Sequence, residues 1–513
     1  MTDSKTSILS SNKKYFIILI VFFIVYCLFL SWSFLFQNVD DAYISFRYGK
    51  NMMNGDGLVY NRGEYMEGYT NFLWTLVTAP FTKFKTIDIS FFTLILGLVI
   101  SLFNIYLLTL ISRRFFSAES LSKYKFLLFL PAIFFVLDDS IAFWAIGGME
   151  FPMYSLFILG VIYFYFKINE KKGNEMIMTI FLMLCTLTRP EGNMIAAITL
   201  IHSVFYRGYI QNYLRKLFNI VSLYVLFMII YYGFKYLYYD HFIPNTFYAK
   251  GVVDISMNLW LGLKYLALCM GTRLYLFIFI IFIPFKKAIR NFKQSFLLLF
   301  SGVYIIYLIA VGGDWMIANR FFVPILPVLY LLSTLGYIDA LNRFLLVNFG
   351  EQKFKNRMIY ISTIILCVLL FVITMSLLEY RELIIKDANY KYELQWSKFG
   401  HWLKQNVSSR TVIAVGPAGK IPYYSELYTI DMWGLNNEHI AQTHSKRLQA
   451  GHKKFDFDYV LSLNPEFIIG YAGFSDSDVP SRYEKFNTPE DEYKSIDVVF
   501  RLKDQYRTYN HNK

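Results

Sequence analysis

Two adjacent carboxylates, Asp40 and Asp41, follow the first long apolar run of the chain. Ionisable groups at a membrane boundary are costly unless they are solvated, paired or engaged with a cation. A carboxylate placed there suits general-base work, accepting the proton of an attacking sugar hydroxyl. It equally suits a hard divalent cation, Mg2+ or Mn2+, held against a phosphate leaving group. A solvated helix end is the simplest reading of an isolated acidic pair. Here Arg47 follows within one to two helical turns, and Glu64 and Glu67 lie in the same loop. Four acids with an arginine and neighbouring aromatics favour chemistry.

Three further segments carry charge beside apolar runs. Arg189-Pro-Glu-Gly192 is a turn whose arginine suits an anionic phosphate, since the planar guanidinium can bind two oxygens at once. The plain alternative is a structural Arg189–Glu191 pair. Arg320 stands six residues after Asp314 in Gly312-Gly-Asp-Trp315, and Lys250 comes after Pro244-Asn-Thr-Phe-Tyr248. Each cation alone is a weak signal; a common side of the membrane strengthens them.

Other chemistries lack their residues. No two of the seven histidines have HExxH spacing, which argues against a dedicated zinc site. No Gly-x-Ser-x-Gly elbow occurs. The turns Gly55-Asp-Gly57 and Asn61-Arg-Gly63 fit neither the Walker spacing nor a GxGxxG after a strand, so a nucleotide cofactor has no support. Cys27, Cys185, Cys269 and Cys367 sit in or beside apolar stretches with no CxxC pair, and read as small buried residues.

The elements that must position these groups follow from composition. Of the 513 residues, 56% are hydrophobic and 17% charged, with a formal charge of +13. A soluble domain is roughly 45–50% apolar and 25% charged, so the excess points to a membrane protein and excludes disorder. The positive charge reads as Lys and Arg kept in cytoplasmic loops rather than as a nucleic-acid surface. Apolar runs of spanning length occur at 15–36, 87–111, 125–145, 217–239, 295–312, 321–338 and 358–378, with shorter ones at 151–166, 175–188, 193–206 and 272–285. About eleven spans, each near 20 residues, place every basic cluster on one side. These are Lys13–Lys14; Arg113–Arg114 with Lys123 and Lys125; Lys167 with Lys171–Lys172; Arg207 with Arg215–Lys216; Lys286–Lys287 with Arg290 and Lys293; and Lys353, Lys355 and Arg357.

The amino terminus is then cytoplasmic. The outer side receives a first loop at about 37–86, a second at 240–271, and short turns carrying Glu150, Arg189, Glu191 and Asp314. Tyr69–Phe81 is too short to span and reads as an interfacial or re-entrant helix held by Trp74. From about Glu379 the chain turns polar. A helix is expected over Asp387–Lys404, and strands at Thr411–Val415, Tyr459–Leu463 and Phe467–Gly470. The fold class is therefore a polytopic α-helical membrane module, 1–378, with an external C-terminal α/β domain, 379–513.

The ordered motifs resemble a known family. Asp40-Asp-Ala-Tyr-Ile-Ser-Phe-Arg-Tyr48 runs through Gly55-Asp-Gly-Leu-Val-Tyr-Asn61 to Glu67-Gly-Tyr-Thr-Asn-Phe-Leu-Trp74. This string resembles the first-loop signature of bacterial GT-C membrane glycosyltransferases, particularly the terminal β-arabinofuranosyltransferase-like branch. Gly148-Met-Glu150, Arg189-Pro-Glu-Gly192, Ile243-Pro-Asn-Thr-Phe-Tyr-Ala-Lys250, Gly312-Gly-Asp-Trp-Met316, Arg320-Phe-Phe-Val-Pro324 and Ile430-Asp-Met-Trp-Gly-Leu435 match in order, and Gly451-His452 and Tyr459-Val-Leu461 also fit. Two segments depart from the pattern. Relatives often carry an acid near Gly416 or Pro417, and their Met-Pro-Gly run stands here as Met316-Ile-Ala-Asn319.

The resemblance implies a polyprenyl-phosphate-linked sugar donor used at the periplasmic face of the bacterial inner membrane, with inversion. The acceptor would be a cell-envelope glycan or lipopolysaccharide. It implies that Asp40 or Asp41 is the base or a metal ligand beside it, some relatives using a divalent metal. Arg189, Arg320 and Lys250 would contact the donor phosphate, Glu67 and Asp314 would shape the sugar site, and Arg47 and Glu191 belong to the same donor site. Protein O-glycosylation with the same donor is the nearest rival. A lipid-linked-sugar flippase would need charges through both leaflets and commonly shows inverted repeats, which are not visible. A glycan-binding scaffold would need no acid pair facing cations.

Overall fold

The computed structural model describes residues 13–33, 38–84, 86–116, 125–251, 255–348, 361–363, 365–366, 390–444, 454–470, 479–486 and 499–506. The chain opens with α1 (Lys13–Ser33), and α2 (Asp40–Asn54) follows it. Then come α3 (Phe72–Thr78), α4 (Ile89–Ser112), α5 (Leu130–Leu137), α6 (Asp139–Ile146), α7 (Phe151–Phe166), α8 (Asn174–Thr188) and α9 (Gly192–Phe205). The second half of the bundle holds α10 (Tyr213–Tyr239), α11 (Asn245–Ala249), α12 (Ile255–Gly271), α13 (Leu274–Ile280), α14 (Phe292–Ala310) and α15 (Leu326–Asn348), the last preceded by a 3-10 stretch Ile317–Ile325.

Among the described residues four helices are long and apolar enough to cross a membrane, or up to six if each bent pair is one span. Four shorter apolar helices accompany them, at Phe16–Leu28, Phe151–Phe166, Asn174–Thr188 and Gly192–Phe205. The last three stand where short runs were expected. The expected span at 125–145 is a pair of helices bent by 61°, and α12 with α13 is a second pair, bent by 88°. The second outer loop, expected over 240–271, therefore contains a helix, α12. Ser256, Asn258 and Lys264 interrupt its hydropathy enough to hide it. The expected span at 358–378 and the cluster Lys353, Lys355 and Arg357 lie largely outside the described residues, as do Lys123, Cys367 and Gly451-His452.

Both bends carry charge, and the charges meet. Arg273, between α12 and α13, donates to Asp138, between α5 and α6, through Nε at 2.7 Å and Nη2 at 2.9 Å, and to Ser140 Oγ at 2.7 Å. Asp138 also caps α6 by accepting from Ser140 N. A buried bidentate pair of this kind satisfies the backbone and side-chain groups that a broken helix would otherwise strand.

Four of the basic clusters, those of Arg114, Lys167, Lys216 and Lys293, meet at one end of the bundle. Arg114 pairs with Glu170, Lys293 Nζ donates to Arg114 O at 2.7 Å, and Lys216 Nζ to Ile168 O at 2.6 Å. Cys27, Cys185 and Cys269 are buried free thiols. Tyr69–Phe81 contains only the seven-residue α3 with a 3-10 continuation. Its Trp74 is buried and donates to Gly148 O at 2.9 Å, so the tryptophan anchors an interior turn and not a lipid interface.

The C-terminal domain starts with α16 (Tyr390–Asn406), followed by β1 (Val412–Val415), α17 (Lys420–Ser425), β2 (Tyr428–Asp431), α18 (Glu438–Gln442), α19 (Phe457–Ser462), β3 (Phe467–Ile469), β4 (Tyr483–Lys485) and β5 (Val499–Leu502). The sheet order is β2-β1-β3-β5-β4. β1 is parallel to β2 and β3, and β5 antiparallel to β3 and β4. The strand expected at Tyr459–Leu463 is instead the helix α19: Asp456 caps it, accepting from Tyr459 N at 3.0 Å, which starts a helix that the apolar residues alone do not signal.

Strand alternation gives the sheet two apolar faces. Ala414, Ile468 and Phe500 pack with Ile430, Ile440 and Val460. Ile413, Val415, Phe467 and Ile469 pack with Phe399 and Leu403 of α16, and also with Ile44, Tyr48, Tyr60, Tyr69 and Tyr239 of the membrane module. One core thus runs through both parts of the chain.

Candidate active site

The turns that carry Glu150, Arg189 and Arg320 converge on one cavity, at the other end of the bundle from Arg114, Lys216 and Lys293. It holds about 480 Å3 including its open mouth, and Asp41, Ser45, Asn71, Glu150, Arg189 and Lys250 line it together with Arg320. Helix α2 supplies the first side. Asp41 sits in its first turn, where the positive end of the helix dipole favours a carboxylate.

Arg320 holds the opposite side. It grips Asp314 through Nε–Oδ2 at 2.6 Å and Nη2–Oδ1 at 3.1 Å, and gives its remaining Nη1 to Asp41 Oδ2 at 2.8 Å. Backbone conformation aims it: Ala318 (φ 56°) and Asn319 (φ 49°) are left-handed just before it, and Trp144 Nε1 fixes Ala318 O at 2.9 Å. Neither is glycine, the residue that best tolerates this region. Gly313 is itself left-handed at φ 71°, and a Cβ there would lie 2.4 Å from the Tyr265 side chain.

Arg189 is buried between two acids. Nη1 pairs with Glu150 Oε1, while Nε and Nη2 reach Glu191 at 3.2 and 3.0 Å. Tyr307 donates to Glu191 Oε1 at 2.6 Å, Asn71 Nδ2 to Glu150 Oε2 at 2.8 Å, and Ser45 Oγ to Asn71 Oδ1 at 2.8 Å. Glu150, Asn71 and Ser45 stand in the motif strings but were assigned no role there; only the contact network distinguishes them.

Lys250 follows α11 and faces the same cavity. Burial pushes its pKa down, and the neighbouring Arg320 adds to that, while Asp41 and Asp314 oppose it. Arg189 and Arg320 are each matched by two carboxylates. Lys250 makes no ion pair of its own among the described residues.

Three sequence candidates point elsewhere. Asp40 accepts from the backbone amides of Gly419 at 3.0 Å and Lys420 at 2.7 Å, in the C-terminal domain. Arg47 donates to Tyr60 O at 2.7 Å, Asn61 Oδ1 at 3.0 Å, Pro422 O at 2.6 Å and Leu427 O at 2.7 Å, and is buried by them. Glu67 pairs with Lys235 of α10 at 2.8 Å, and burial lifts its pKa to about 7 against the pull of that lysine. None of the three lines the cavity. Glu64 is held by Asn61 Nδ2 at 2.9 Å.

The expected metal-ligand pair is likewise divided. Asp40 and Asp41 turn to different partners, and among the described residues no three His, Cys, Asp or Glu side chains gather as a metal group. The residues do not fit a joint Asp40–Asp41 cation site.

The C-terminal domain closes part of the wall with Leu435. Asn245 Nδ2 donates to Gly434 O at 2.9 Å and Leu435 O at 3.0 Å, and Tyr48 OH to Asn436 Oδ1 at 3.1 Å. Asp431 tightens that turn, accepting from Trp433 N and Asn436 N at 3.0 and 2.9 Å.

This architecture is a GT-C-like fold. The chain is similar to ArnT from Cupriavidus metallidurans bound to undecaprenyl phosphate, with TM-score 0.57 and 12% identity over 94% of this chain and 97% of that one. It is also similar to the Archaeoglobus fulgidus oligosaccharyltransferase tethered with an acceptor peptide (TM-score 0.52, 13% identity, 90% and 70% covered). The oligosaccharyltransferase AglB of the same organism, in complex with an inhibitory peptide and a dolichol-phosphate, matches with TM-score 0.51 and 12% identity over 84% and 65%. At such identities the likeness is one of fold. Residues 383–509 match a family described as a domain of unknown function (DUF8728). No curated protein matches the sequence.

Proposed function

We propose that the chain is a membrane glycosyltransferase that moves one sugar from a polyprenyl-phosphate-linked donor to a cell-envelope glycan or lipopolysaccharide, with inversion at the anomeric carbon. The observation that carries this reading is the meeting of Asp41 with Arg320, Arg189 and Lys250 around one cavity. Two of the fold relatives were solved with undecaprenyl phosphate and dolichol-phosphate, which supports a lipid phosphate as the donor's anchor.

In this reading the acceptor hydroxyl attacks the anomeric carbon from the face opposite the phosphate. Its oxygen forms the new glycosidic bond and its proton passes to Asp41. The bond from the anomeric carbon to the phosphate oxygen breaks, and its electron pair leaves with the polyprenyl phosphate. A phosphate leaves without needing an acid if its charge is met by fixed cations. Lys250, with Arg320 and Arg189 behind it, supplies them. Asp314 holds Arg320 in place through two hydrogen bonds. The resemblance to the arabinofuranosyltransferase-like branch sets the pentose as one candidate sugar beside hexoses. The basic clusters at the far end support an orientation with the cavity and C-terminal domain in the periplasm and the amino terminus in the cytoplasm.

The test is transfer from a labelled polyprenyl-phosphate sugar by the purified chain, with envelope glycan as acceptor. Label retained on glycan after protease digestion agrees with the proposal, and label moving to small peptides assigns a protein acceptor instead. Mass spectrometry of envelope glycans and lipopolysaccharide from a deletion strain identifies the sugar by its loss.

A further inference from the structure

We infer that Asp40 is a positioning residue that couples the docked C-terminal domain to the aim of Asp41, which makes that domain part of the transfer site. The inference rests on the glycosyltransferase reading above and assigns the domain a role within it.

Helix α2 stands between the cavity and the domain, and its two faces divide the work. Asp40, Tyr43, Arg47 and Lys50 share one face by helical spacing and all reach the domain. Asp40 takes the amides of Gly419 and Lys420, Tyr43 meets Tyr424 OH at 3.2 Å, Arg47 takes the carbonyls of Pro422 and Leu427, and Lys50 donates to Tyr423 O at 3.1 Å. Asp41, Ile44 and Ser45 lie on the adjoining face and line the cavity.

The Asp40 contact is built into both partners. The loop leaving β1 approaches so closely that a Cβ on Gly419 would lie 1.9 Å from Asp40 O and 2.8 Å from Asp40 Cγ. Two backbone amides on one buried carboxylate are charge-assisted hydrogen bonds, stronger than neutral ones. They fix the helix at its first turn, one residue before Asp41. Side-chain tips lie roughly 5–6 Å from a helix axis, so turning α2 by about 20° would carry Asp41 about 2 Å from its place. Displacement of a reacting group by about 1 Å can cost about 100-fold in rate. A base must also reach the proton that it takes, and Asp40, bound to the domain and absent from the cavity wall, is not placed to do so.

The experiment uses the full-length chain in nanodiscs. Donor KM and kcat are measured for Asp40→Ala, Asp40→Asn and Asp41→Asn, and amide hydrogen exchange is followed over residues 40–48 and 419–425. The expected result is a loss of about 100-fold in kcat for Asp40→Ala with donor KM nearly unchanged. Asp40→Asn, which keeps one acceptor oxygen for the amides, should recover about 10-fold of that loss. Exchange should quicken in both segments of Asp40→Ala. Asp40→Asn as inactive as Asp41→Asn, with exchange unchanged, would make Asp40 a proton acceptor and overturn the inference. Wild-type kcat in Asp40→Ala, or faster exchange at 419–425 with full protection at 40–48, overturns it as well. Absence of transfer by the wild-type chain sinks the glycosyltransferase reading alone, because exchange at 40–48 still decides the coupling.

Discussion

Arg320 donates a 2.8 Å hydrogen bond to Asp41 across 279 positions of sequence. Helix α2 and the stretch leading into α15 are joined there, at the wall of the cavity. The remaining guanidinium nitrogens are spent on Asp314, so one planar group sets the distance between two carboxylates.

That geometry needs a guanidinium. Arg320→Lys keeps the charge but cannot span Asp314 and Asp41 together. We expect kcat/KM for the lipid-linked donor to fall roughly 100-fold, with the folded fraction in size-exclusion chromatography close to wild type.

Lys250 lacks an ion-pair partner among the described residues, and it has the plainest role in holding a phosphate. Lys250→Met should weaken undecaprenyl-phosphate binding roughly 10–100-fold, the worth of a charged hydrogen bond. Burial lowers its pKa. The ammonium is therefore present at low pH and is lost as pH rises through a value below the ordinary lysine range, so donor affinity should fall on the alkaline side. Lys250→Arg should carry that alkaline limb to higher pH, read by titrating affinity against pH.

Much of this arrangement was legible from sequence, because boundary charges have few reasons to exist in an apolar chain. The strings around Asp41, Arg189, Lys250 and Arg320 named the side chains that now line the cavity. Direction was not legible. Asp40 and Asp41 are alike in type and adjacent, and only helical geometry turns one to the domain and the other to the cavity. Arg47 and Glu67 look functional for the same reason, yet Arg47 ties α2 to the C-terminal domain and Glu67 pairs with Lys235 of α10. The bend at α12 and α13 was hidden because its polar residues pair inside the protein, which a hydropathy average cannot register. Asp138 and Asp139, set in an otherwise apolar run, were the overlooked sign of the matching bend between α5 and α6.

The Asp138–Arg273 pair gives a stability prediction that leaves the transfer chemistry aside. Arg273→Met strands a buried carboxylate and should cost about 3–5 kcal/mol. The double variant Asp138→Leu/Arg273→Met removes both charges and should be more stable than the single one, even after losing the cap on α6. Thermal unfolding in detergent compares the two. A double variant no better than the single would show that the pair does not carry the bend.

The central claim is that Asp41 takes the proton of the acceptor as sugar leaves a lipid phosphate. The most direct measurement is single-turnover transfer from a radiolabelled polyprenyl-phosphate sugar by purified wild-type chain and Asp41→Asn, with undecaprenyl-phosphate binding measured on the same samples. The account predicts transfer by the wild type, a loss of at least about 100-fold in Asp41→Asn, and lipid-phosphate binding retained in both. Near-wild-type transfer by Asp41→Asn would contradict it.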